Sequence, residues 1–298
     1  MKKLTINDNF NLYNNAVYRK QFLKYGPFTE CIPDIIAVKH GLKPLAEIYS
    51  TSLNEYKKYI PIFKAEGLFV EYLPKQNSEP KNSNTEKKYN SIYNIYISKE
   101  REMIQNYKDN SIHLNKYLRG KQFGFPLCCV RELSLIHERF KSDQNIIISK
   151  FYSNNLFHGL SNFYISAHYP CDYNCRKTLH YNKNIFEAII KDDFEFAVLL
   201  QKWLTYPLLT WENDKNLDEK ICIIFDGLFL ENNCVSYSRC WITFTHQIIS
   251  IPSTFLYFKL GNKILLNKNN IIIFKNNNKI KTIYQKDPFK IFLYNFSN

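Results

Sequence analysis

The sequence predicts an α+β fold, and three observations carry that expectation. Residues 31–110 alternate short strand-like and helix-like patterns. Residues 111–206 are mainly helical in their apolar spacing. Residues 207–298 hold a series of short apolar and β-branched runs with polar, partly asparagine-rich turns between them. The expected organisation is a small α/β module over 1–110, a helical part bearing cysteine motifs over 111–206, and an antiparallel β-rich part over 207–298.

Taken in order, residues 1–30 read as an aromatic, amphipathic lead-in. Ile32 to His40 has the spacing of a short helix, closed by Gly41, a residue that readily takes the left-handed conformation of a helix end. Leu45 to Tyr49 reads as a strand. The next helix opens near Thr51 or Ser52, either of which can cap it, and runs to about Gly67, with Pro61 able to kink it. Leu68–Leu73 and Ile92–Ile97 read as two further strands. Between them, residues 75–89 have the composition of a surface loop. Lys99 to Asp109 reads as a helix, and Asn184 to Trp203 as a single buried amphipathic one. Candidate strands follow at 208–211, 221–225, 240–244, 263–266, 271–274 and 280–284.

Composition narrows the class. Hydrophobic residues make up 45% of the chain, with 22 Tyr and 23 Phe against 8 Gly, which suits a packed core rather than a disordered chain. No secretory signal is visible, and the most apolar run, 221–225, ends at Asp226 far short of a membrane span. A cytoplasmic setting without a membrane partner is therefore expected. In a reducing compartment the eight cysteines are expected to be reduced, metal-bound or catalytic rather than disulfide-bonded. The net charge of +13 admits two readings. One is a polyanionic partner such as RNA. The other is lysine- and asparagine-rich coding bias, since arginine, the better phosphate fork, is scarce. No Gly-rich phosphate loop or dinucleotide fingerprint supports nucleotide binding.

Chemistry concentrates in two stretches, Gly124-Phe125-Pro126-Leu127-Cys128-Cys129 and His168-Tyr169-Pro170-Cys171-Asp172-Tyr173-Asn174-Cys175. Each sets a proline before cysteines, and proline favours the first helical position. A helix begun at Pro170 would place Cys171 and Cys175 on one face, four residues apart, where two sulfurs can converge on one ion. A helix begun at Pro126 and continuing through His137 would hold Cys128 and Cys129 in its first turn. Successive helical residues point roughly 100° apart, so one of these two is expected to ligate or react. The other is a second ligand, a resolving thiol or simply buried. The two stretches read as halves of one thiolate site. His168, just outside the second turn, is within reach of the same ion, and His158 is a candidate pocket residue. Glu212, Asp214 and Asp226 fall at strand ends, where solvated turn residues are the ordinary reading. Cys31, Cys222, Cys234 and Cys240 lack regular ligand spacing and read as structural.

Phe123-Gly124-Phe125-Pro126-Leu127-Cys128-Cys129-Val130 and the His168–Cys175 stretch resemble an uncharacterised prokaryotic family, domain of unknown function 483. That family carries Gly-Tyr-Pro-x-Cys-Cys and His-x-Pro-Cys-x-x-x-Cys turns and an upstream Gly-Leu-Lys-Pro element, here Gly41-Leu42-Lys43-Pro44. The resemblance spans roughly residues 28–182, and Phe125 stands where the family has tyrosine. It implies Cys128, Cys129, Cys171 and Cys175 as site residues and implies no substrate.

Three functional classes follow from these residues. The first is a metalloprotein, read as an enzyme, whose sulfurs hold an iron–sulfur cluster, preferred because Cys129 is then a spare ligand, or zinc; the metal set is Cys128, Cys129, Cys171, Cys175 and His168. The second is a basic RNA-binding or RNA-modifying protein with a structural zinc. The third is a metal-free thiol enzyme with Cys128 or Cys171 as nucleophile and His158 or His168 as base. Cys129, His158 and His168 are the candidate catalytic residues.

Overall fold

The computed structural model describes residues 31–51, 53–74, 93–109, 115–131, 146–153, 164–168, 170–213, 216–244, 253–285 and 289–296, with Ala16, Val17, Lys20 and Lys24 from the leading segment. The architecture is α+β, with a large, mainly antiparallel sheet in the C-terminal part. Among the described residues no helix is long and apolar enough to cross a membrane.

The first helix, α1 (Ile32–Lys39), has proline in its first turn and buries every residue from Ile32 to Val38. Gly41 ends it at φ +70, with the Leu42 N–H returning to the Ala37 carbonyl at 2.9 Å, as the sequence predicts. Strands β1 (Ala46–Thr51), β2 (Phe69–Pro74) and β3 (Tyr93–Ser98) form an antiparallel sheet in the order β1-β3-β2. Helix α2 (Leu53–Ala65) accommodates Pro61, and α3 (Arg101–Asp109) packs on the sheet. The 75–89 loop lies outside the described residues.

Next come α4 (Lys116–Gln122), α5 (Leu127–Arg131), a short strand β4 (Ile146–Ile148) and a 3-10 turn at Phe151–Ser153. Asn115 caps α4 by accepting the N–H groups of Tyr117 and Leu118 at 2.9 and 3.1 Å. Residues 132–137, where the α5 pattern was expected to continue, lie outside the described residues. The single helix expected over 184–203 is two helices, α6 (Arg176–Asp192) and α7 (Phe194–Leu204). The break is Asp193, whose backbone is extended at φ −153 and whose carboxylate accepts the Phe196 N–H at 2.9 Å. An aspartate can start a new helix in this way more readily than it can sit inside a long one.

The C-terminal strands are β5 (Leu208–Asn213), β6 (Asn216–Glu231), β7 (Cys234–Phe244), β8 (Lys263–Asn267), β9 (Asn270–Lys275), β10 (Asn278–Tyr284) and β11 (Phe289–Asn295). A short helix, α8 (Leu256–Leu260), precedes β8. The sheet order is β10-β9-β8-β7-β6-β5-β11-β4. Asn276 and Asn277, both at positive φ, form the tight turn from β9 to β10. The sequence reading had neither β11, α8 nor β4. β11 lies between β5 and β4, pairing antiparallel with the former and parallel with the latter.

Alternation along β6 shows how the sheet divides the interior. Cys222 and Ile224 face one core; Ile221, Ile223 and Phe225 face the other, beneath Phe255 and Phe258. The first core also takes residues from α1, the three-stranded sheet, α6, α7 and Phe296. Described residues from each of 31–110, 111–206 and 207–298 thus line the first core, and β4 pairs into the C-terminal sheet. Sequence patterning marks local periodicity; it carries no information on which apolar faces will meet.

Candidate metal centre

Two tight turns build the site. In the first, α4 ends at Gly124, φ +73, with Gly124 N–H bonded to Lys121 O at 3.0 Å and Phe125 N–H to Gly120 O at 3.1 Å. A Cβ at Gly124 would sit 2.7 Å from Pro44 Cδ, so the turn lies directly on the Lys43-Pro44 segment. Pro126 then starts α5, its carbonyl accepting from Cys129 and Val130 at 2.8 and 3.1 Å.

The second turn departs from expectation. Pro170 does not start a helix. Residues 171–174 form a polar turn in which the Asp172 carboxylate accepts the Asn174 N–H at 2.6 Å and the Asp172 carbonyl accepts the Cys175 N–H at 2.9 Å. Aspartate offers the backbone this local alternative to a helix. Helix α6 begins only at Arg176, with Cys175 as its N-cap residue. The turn is anchored by Ser149, which donates to Tyr173 O at 2.6 Å, and by Tyr173 packing on Tyr294 and Phe296 at 5.6 and 5.5 Å between ring centres.

The two turns bring four sulfurs together. Cys128, Cys129, Cys171 and Cys175 have all their Sγ atoms within 4.8 Å of one another. Cys128 to Cys129 is 3.8 Å, Cys128 to Cys175 is 3.7 Å, and Cys129 to Cys175 is 3.8 Å. Both neighbours at 128 and 129 therefore join the cluster, so the second of the pair takes the second-ligand place among the alternatives the sequence leaves open. Their Cα–Cβ bonds diverge, but rotation about χ1 swings both sulfurs toward the same point. Such a soft, sulfur-only set suits a tetrahedral metal ion or iron–sulfur chemistry.

Burial and hydrogen bonds distinguish the four. Cys129 is 1% exposed; the other three are partly exposed. Burial pushes the Cys129 thiol up to about 11, against the pull of the Thr178 hydroxyl at 3.1 Å and the Cys171 N–H at 3.4 Å. Burial and the neighbouring sulfurs also raise Cys171. Burial opposes ionisation of Cys175 as well, but Thr178, through backbone and side chain, and the thiols of Cys171 and Cys128 hold it down to about 7.

His168 stands behind the sulfur quartet rather than in it. Its Nε2 is 3.2 Å from Thr178 Oγ1 and its Nδ1 is 2.6 Å from Ser166 Oγ. Ser166 also donates to Asn182 Oδ1 at 2.8 Å. Burial, aided by the Lys43 ammonium, holds His168 down to about 3 and hence neutral. His158 and Asp214 lie outside the described residues, and Asp226 pairs with Arg239 at 2.7 Å.

Two features escaped the sequence reading. Thr178 follows Cys175 by three residues, the spacing that places a side chain over a helix start, and this was the signal available for it. Nothing in the sequence pairs Asp34 with Lys43. In the fold they form an ion pair at 2.5 Å, 1% and 2% exposed, with Tyr164 donating to the second Asp34 oxygen at 3.0 Å. The Lys43 ammonium also lies 5.0 Å from the centre of the Phe125 ring, which stacks on His168 at 5.0 Å and meets Phe123 edge-on at 5.8 Å.

Fold and site together define an α+β protein with a four-cysteine cluster able to bind a metal. Comparison with protein-family models, curated proteins and solved structures finds no match to this chain.

Proposed function

We propose that the chain is a zinc protein in which one ion, held by Cys128, Cys129, Cys171 and Cys175, clamps the 124–129 and 170–175 turns together. The observation that carries this reading is sulfur spacing. A tetrahedral ion with Zn–S bonds of about 2.3 Å holds its sulfurs roughly 3.8 Å apart; the sulfurs of Cys128, Cys129 and Cys175 are 3.7, 3.8 and 3.8 Å apart, and that of Cys171 lies within 4.8 Å of each. In a four-iron cluster each thiolate binds a different iron, which spreads the sulfurs by the width of the cluster, so this spacing favours a single ion. Four thiolates also complete a tetrahedron. That supports a structural role over the water-activating kind, which keeps one position open.

Metal analysis of freshly purified protein tests this. About one zinc per chain and no visible absorption are expected. Iron with sulfide and a brown colour would replace zinc with the cluster.

A second reading, recognition of RNA, is favoured by charge around the clamp. Arg131, Arg176 and Lys177 are all exposed and follow ligand cysteines by one or two residues, against the single acid Asp172. A zinc-braced basic edge of this kind suits phosphate contacts. Its test is single-stranded RNA binding followed as salt rises. Arg176→Ala with Lys177→Ala should weaken affinity uniformly across sequences and flatten the salt slope, and absence of binding at low salt excludes the reading. Metal-free catalysis has less support: a His168 ring held near 3 is a weak base for Cys128 or Cys171, and Cys129 is the most enclosed sulfur of the four.

A further inference from the structure

We infer that Cys128 and Cys175 are the peroxide-reactive pair of this cluster, and that their oxidation to a disulfide expels the ion. The inference rests on the zinc reading above and adds a modification site and a reactant class to it.

The four sulfurs are not equivalent toward a small oxidant. Cys129 is enclosed, and both Thr178 Oγ1 and the Cys171 N–H contact its sulfur. Cys128 is partly exposed, and among the described residues its sulfur is bonded only to other sulfurs. A thiolate without donors keeps its electron density for an electrophile. Cys175 is also partly exposed and its sulfur is 3.7 Å from that of Cys128. Closing that gap to the roughly 2.05 Å of a disulfide needs only small side-chain movement. Cys128 and Cys129 are as close, but a ring through a single peptide bond would distort the first turn of α5.

The step balances. The Cys128 thiolate attacks one oxygen of hydrogen peroxide, the O–O bond breaks, hydroxide leaves and Cys128 becomes a sulfenic acid. The Cys175 thiolate then attacks that sulfur and displaces a second hydroxide. Two thiolates have lost two electrons, peroxide has gained them, and the ion keeps only Cys129 and Cys171. Two ligands on separate turns hold zinc far more weakly than four, so the ion leaves. Reduction by a dithiol restores both thiolates and the binding site.

The experiment uses the full chain loaded with zinc and titrated with hydrogen peroxide. Released zinc is read with a chromogenic chelator, and disulfides are mapped by fragmentation mass spectrometry that separates Cys128 from Cys129 and Cys171 from Cys175. Zinc release in step with a Cys128–Cys175 linkage, reversed by dithiothreitol plus zinc, is expected. A first linkage through Cys129 or Cys171 overturns the inference, as does zinc retained while Cys234 or Cys240 oxidises. Metal content measured before the titration separates the two claims. A protein that purifies without metal sinks the zinc reading, and the same mapping on that protein still decides which sulfurs pair.

Discussion

The Thr178 hydroxyl lies 3.1 Å from the Cys129 sulfur and 3.2 Å from His168 Nε2, so one oxygen links the thiolate cluster to a buried histidine. The chain of contacts continues through Ser166 and Asn182 to the Tyr152 carbonyl. Each member fixes the next, and the sulfur at the inner end is held by groups from well outside its own turn.

Replacing Thr178 with valine should therefore act at two places. It keeps the shape but leaves His168 Nε2 buried without a partner, at a cost of about 1–3 kcal/mol in unfolding free energy. It also frees the Cys129 sulfur from an orienting contact, which should weaken metal affinity roughly 10–100-fold. Urea unfolding and competition with a calibrated chelator measure the two effects. Serine, which restores the hydroxyl, should recover most of both.

Gly124→Ala should destabilise the first turn for two reasons. A non-glycine residue at φ +73 costs about 1–2 kcal/mol. The new methyl would also meet Pro44 Cδ at 2.7 Å, where a rigid proline ring has little room to give. The denaturation midpoint should fall, whereas Gly41→Ala, with open space around its Cβ, should lose only the conformational part.

The Asp34–Lys43 pair should be far costlier to halve than to remove. Lys43→Met alone leaves a carboxylate 1% exposed without its cation, at roughly 3–5 kcal/mol. Combining it with Asp34→Leu should give back much of that loss. A double-mutant cycle in urea reads the coupling directly; additive losses would show that the pair does not interact energetically.

Acid stability should trace to a surface network. Burial opposes ionisation of Asp192, yet hydrogen bonds from Lys39 and His40 hold its carboxyl below the usual range; Glu66 is lowered in the same way by Lys24 and Lys39. A depressed folded-state value contributes stability that is present above the unfolded value of about 4 and is lost as pH falls through the folded one. Unfolding free energy should thus decline below about pH 4. Asp192→Asn should lower stability at neutral pH and shallow that decline.

Local patterning made most single elements readable. Gly41 closes α1 as glycine does at a helix end, and the asparagines before β10 turn as their tolerance of positive φ allows. What failed was competition between local options. Pro170 can begin a helix, but the Asp172 side chain and carbonyl capture the N–H groups that a helix would use, so Cys175 caps α6 rather than riding on it. The four sulfurs meet all the same, because tertiary packing of two turns, not the spacing of one helix, brings them together. β11 has no counterpart among the predicted strands; its sheet neighbours, β5 and β4, lie far from it in sequence.

Tyr173, between two of the ligand cysteines, rests on Tyr294 and Phe296. During synthesis every thiol of the cluster leaves the ribosome more than a hundred residues before those rings do. The nascent chain therefore carries the four thiols for more than a hundred residues of synthesis before the aromatic backing of the second turn exists.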